Sequence, residues 1–97
     1  MRTLVKVQVP VQRGNKAIAE GSIGKVIGDF MERSKPEAAY FGAEGGQRTA
    51  YFVIDLKQSS DLPPLLEPVF IALDASIEFT PVMNAEELKQ GLSQIKL

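Results

Sequence analysis

Neither cysteine nor histidine occurs among the 97 residues. Without cysteine there is no disulfide framework, no thiolate nucleophile and no thiolate site for zinc or an iron–sulfur cluster. Without histidine the commonest metal ligand is missing, as are the usual general base near neutral pH and every Ser-His or Cys-His pairing. Oxygen ligands alone would suit magnesium or calcium, but no compact acidic cluster stands out, since Glu86 and Glu87 are adjacent and diverge on a helix. Neither a metal nor another cofactor is therefore expected. Charge of one sign is also lacking: eleven basic residues face twelve acidic ones, which gives no ground for a nucleic-acid or anionic-membrane partner. No apolar run approaches the roughly 20 residues that cross a bilayer. The stretch Met1–Pro10 is interrupted by Lys6 and Gln8, unlike a secretory signal, and a cytoplasmic location is the expectation. A single domain over residues 1–97 is expected too, because two halves of about 50 residues would each have a marginal core.

What is present is a clear alternation of elements. Thr3 to Val9 has period two, with Val5, Val7 and Val9 on one side and Leu4, Lys6 and Gln8 on the other, which predicts a half-buried strand. Pro10 to Gly14 is expected to be a connection and Asn15 a helix cap. Ala19, Ile23, Val26, Ile27, Phe30 and Met31 then recur at helical spacing, with Asp29 and Arg33 as an i, i+4 pair and Pro36 as the stop. Gly21, Gly24 and Gly28 lie within that helix at about 0.8–1 kcal/mol each against alanine. A close backbone approach, or a break near Gly21-Ser22, would offset that cost. Gly21-Ser22-Ile23-Gly24 has the form of a phosphate-gripping GxxG loop but lacks its basic surround.

Gly45-Gly46 stands between two strand-like runs and signals a tight hairpin. A two-residue loop makes paired residue numbers sum to 91. Tyr40 then faces Tyr51 and Phe41 faces Ala50. Ser59-Ser60-Asp61 opens a second helix with Leu65, Leu66, Val69, Phe70 and Leu73 as its apolar stripe. Pro63 and Pro64 suit its first turn, and Pro68 is expected to kink or shorten it. Ala75 to Thr80 is a fourth strand. Asn84 with Glu87 forms an Asn variant of the capping box for a last helix carrying Leu88, Leu92 and Ile95.

The order βαββαβ with an extra C-terminal helix predicts an α+β chain of the ferredoxin-like, split βαβ kind. It would have one antiparallel four-stranded sheet, the first and third strands central, and helices on one face. Val5, Val7, Val9, Phe41, Phe52, Ile54, Ile77 and Phe79 should lie under the helices. Leu4, Lys6, Gln8, Tyr40, Tyr51, Val53, Glu78 and Thr80 should line the bare face, which is too apolar to be left to solvent.

By strand order, length, the Ala39-Tyr40-Phe41 to Ala50-Tyr51-Phe52 hairpin and the capped last helix, the chain resembles small bacterial ferredoxin-like proteins of the dimeric α/β-barrel type. The resemblance spans nearly the whole chain and is one of architecture. It implies a homodimer through the bare face, and it implies either a binding or accessory role or cofactor-independent monooxygenase- or isomerase-like chemistry on a small organic molecule. Haem-handling members depend on a histidine, absent here. The candidate ligand-binding residues are Lys6, Gln8, Tyr40, Tyr51 and Glu78, expected around one cavity, with Lys6 and Glu78 as a cross-strand pair and the tyrosine rings available for stacking. Each also has a plain structural reading, as an ordinary ion pair or interface aromatics. Arg48, near the hairpin end, is either a carboxylate grip or a solvated tip residue.

Overall fold

A computed structural model describes residues 1–96. It contains β1 (Arg2–Val9), α1 (Val11–Glu20), α2 (Ser22–Ser34), β2 (Ala38–Glu44), β3 (Gln47–Asp55), α3 (Leu62–Leu73) after a 3-10 turn at Ser59–Asp61, β4 (Ser76–Pro81) and α4 (Ala85–Leu92). The strands form one open antiparallel sheet in the order β2-β3-β1-β4. The molecule is therefore α+β, with β1 and β3 central as expected. The hairpin pairs Ala38 with Val53, Tyr40 with Tyr51 and Glu44 with Gln47, so every pair sums to 91. Gly45 and Gly46 have φ of 60° and 77°, the left-handed region that favours glycine at both turn positions.

The core lies between one sheet face and the helices. Val5, Val7, Val9, Phe52 and Ile54 meet Ala17, Phe30, Leu66, Val69 and Leu73, all buried. Phe30 of α2 and Phe52 of β3 pack with ring centroids 4.8 Å apart. Removing either ring would cost about 3–5 kcal/mol by the usual large-to-small penalty. Two aromatics expected here escape burial: Phe41 is 60% exposed and Phe79 is 48% exposed. Both lie on edge strands, where no helix extends over them, although Phe41 still meets Phe52 edge-on at 5.7 Å.

The first connection differs from the single helix expected. Pro10, with φ −56°, precedes a helix that starts at Val11, and the Gly14 amide donates to the Pro10 carbonyl at 2.8 Å. Asn15 is consequently inside α1 and caps nothing. The helix breaks at Gly21 (φ 74°), one of the two ways its glycine cost could be offset. Within α1, Gly14 and Ala17, three residues apart, face the core, so Ala19 points to solvent. Asp29 pairs with Lys25 at 3.0 Å, one turn back, rather than with Arg33. Pro68 sits inside α3 without shortening it. It and Pro64, whose carbonyl it leaves without a helical partner, are both on the solvent side, where water can satisfy that oxygen. The capping box of α4 is formed, with Asn84 and Glu87 bonded reciprocally. The apolar stripe of α4 has no cover, however: Leu88, Leu92 and Ile95 are each about half exposed, and α4 buries no residue.

Candidate functional site

Period two along the strands brings the expected residues to one face. β1 pairs Lys6 with Tyr51 on one side and with Glu78 on the other, and Tyr40 lies beyond Tyr51. Glu78, Lys6, Tyr51 and Tyr40 thus form one row across all four strands, and Gln8 stands one row along. The partner of the Lys6 ammonium is Glu44, not Glu78. Glu44 sits on the same face of β2, two residues past Gly42. The Glu44 side chain reaches diagonally across the face from the hairpin end of β2 to Lys6 on β1. There it also accepts from the Tyr51 hydroxyl at 3.3 Å. Gln8 donates to the Glu44 carbonyl at 3.2 Å and to the Thr49 hydroxyl at 3.3 Å.

The electrostatics follow from these contacts. The Glu44 carboxylate is held below its ordinary range by the hydrogen bond from Lys6. Lys6 is pushed up by the same bond, with smaller help from the charge of Glu78. Partial desolvation first, then the Glu44 charge, raises the Tyr51 phenol. All three groups are thereby held more firmly in their ordinary neutral-pH states. Lys6, Tyr40, Tyr51 and Glu78 line none of four clefts on the surface of the single chain.

The most apolar of those clefts is on the opposite, helix-covered side, between α2 and the β2–β3 hairpin, with a volume of about 450 Å³. Its floor is Val7, Val9 and Ala50, one wall is Ile23, Ile27 and Met31, and the other is Phe41. Gly24 and Gly28, one helical turn apart, also line it. A Cβ at either would meet nothing within 4 Å, so their missing side chains leave the cleft open. This volume falls within the range of about 300–1,000 Å³ usual for small-molecule sites.

Arg48 lies at one end of the cleft and is no solvated tip. Strand alternation turns it to the helix side, where it is half-buried and donates from Nη2 to the Asn15 carboxamide at 3.0 Å. A Cβ on Gly14 would stand 2.6 Å from its Nη1, so glycine at that point of α1 is what lets the guanidinium lie down. Sequence reasoning missed this cleft. Its signal was the Gly24/Gly28 spacing, an unexplained cost in a helix interior, together with an aromatic on an edge strand.

A scan against protein-family models finds no match for this chain, and a search of curated proteins finds none either.

Proposed function

We propose that the protein is a small homodimeric binding protein of ferredoxin-like fold that holds a small, largely apolar organic molecule in the cleft between α2 and the hairpin. The observation that carries this reading is the cleft itself. Its walls are almost wholly apolar, and two glycines of α2 keep it open, of which Gly28, inside the helix, costs about 0.8–1 kcal/mol against alanine. The strand order with β1 and β3 at the centre supports the fold, since right-handed crossovers in a βαββαβ chain put those strands inside. Pairing of two copies through the bare sheet face is supported by the solvent-facing Leu4, Tyr40 and Val53 on a surface no helix covers. A second copy would also enclose the Glu78–Lys6–Tyr51–Tyr40 row.

The second reading is a cofactor-independent enzyme, and the Lys6, Glu44 and Tyr51 cluster is the observation that favours it. Its electrostatics favour binding instead. A general acid or base works best with its pKa near the working pH, and Glu44, Lys6 and Tyr51 are all moved away from neutrality. Chemical-shift mapping with a fragment library decides between the sites. Hits should move the amides of Ile27, Gly28, Phe41 and Ala50 and disappear in Gly28→Leu, which fills the cleft. Hits that gather instead on Lys6, Tyr51 and Glu78 would return the site to the sheet face.

A further inference from the structure

Among the described residues, Arg48 belongs to none of the ion pairs. It is nevertheless held in place, by the Asn15 carboxamide on one side and by the space over Gly14 on the other. A guanidinium has five N–H donors in a planar fork, and Asn15 takes one. A cation with spare donors at the end of an apolar cleft matches one kind of ligand by charge. It would have an apolar body and a single anionic head that is planar and takes two parallel bonds.

We propose that the cleft takes a small organic carboxylate, with its apolar body between Ile27, Met31 and Phe41 and its carboxylate on the Arg48 guanidinium. This rests on the reading of the cleft as a ligand site and adds the class of ligand. Gly14 and Asn15 are positioning residues: the first leaves room for the fork and the second orients it. Arginine suits the task better than lysine because its fork is preorganised for a carboxylate.

The test is a pair of NMR titrations of the full chain, with octanoate and with octan-1-ol, probes that share a chain and differ in the head. Both should shift the amides of Ile27, Gly28 and Phe41. Octanoate should bind about tenfold more tightly, the size of a charge-assisted hydrogen bond. Arg48→Met should remove that advantage and leave octanol binding unchanged. Gly14→Ala, which keeps the charge but crowds its seat, should reduce the advantage as well, and it provides a second variant if the first fails to fold. Equal affinity of the two probes, or an octanoate advantage that survives Arg48→Met, overturns the carboxylate assignment while leaving the cleft as a site. Absence of cleft shifts with either probe overturns both.

Discussion

At the scale of single residues, the glycines of α2 show how the absence of a side chain can matter more than its presence. Gly28 has open space where a Cβ would go. Gly28→Ala should therefore stabilise the protein by about 0.8–1 kcal/mol through helix propensity alone, measured as a shift in the urea midpoint. The same change should weaken any apolar ligand. An unchanged midpoint would mean that α2 is not helical there in solution. The Asp55 carboxyl offers a cleaner electrostatic test. Hydrogen bonds from Lys57 and then from the Met1 ammonium lower it from 3.8 to about 2. A depressed folded-state value contributes stability above the ordinary pKa, and that contribution fades as pH falls from 3.8 towards 2. The groups are exposed, so the effect on stability is small, and the pKa is the better readout. In an NMR titration Asp55 should titrate near 2, and Lys57→Met should move it up towards 3.8. An Asp55 that already titrates at 3.8 in the native chain would refute the pairing. The Lys6 partner was illegible for a related reason. Register alone puts Glu78 opposite Lys6, whereas Glu44 reaches it diagonally from β2, and strand pairing does not encode that path.

At the scale of elements, the hairpin was fully legible because turn chemistry and side-chain period independently demand the same register. The first helical segment was less so. Pro10 and Asn15 both resemble helix starts; the chain turns helical directly after Pro10, whose carbonyl accepts from the Gly14 amide, and the Asn15 carboxamide is left to accept from Arg48, 33 residues away. The last helix was legible as a helix, from its capping box, but its packing was not. Its stripe of Leu88, Leu92 and Ile95 predicts a buried face, and α4 buries nothing. Its tie to the body is the contact between Arg2 and Glu87, an exposed pair of a kind that contributes about 0–1 kcal/mol. Deleting residues 84–97 should therefore lower the melting temperature by less than about 5 °C in dilute protein. A much larger loss would mean that the stripe is covered in solution.

At the scale of the whole molecule, the extents are 56 × 28 × 17 Å and the radius of gyration is 15.5 Å, against about 13 Å for a compact chain of this size. The hairpin turn lies at the Val9 end of β1, since Arg48 pairs with Val9, while α4 is tied to the Arg2 end. A thin, long body with a bare sheet face exposes much surface for its volume, and a second copy would remove part of it. Light scattering at micromolar concentration should report twice 10.6 kDa, and Tyr51→Lys should shift the population towards monomer. A stable monomer in the native protein would sink the dimer. The α+β class and sheet order could be read from element order. The cleft could not, because it exists only where α2 fails to reach across β2.

The sheet is open, and its two rims differ. β4 carries Glu78 and ends on Pro81, and proline has no N–H to donate to a further strand. The outer rim of β2, Ala38–Glu44, has neither lysine nor proline to discourage a newcomer. Crowding should therefore drive association through one rim only. Two single copies that join β2 to β2 use up the receptive rim of each and stop at an eight-stranded sheet, whereas copies already paired through the bare face keep two such rims, and joining them would continue.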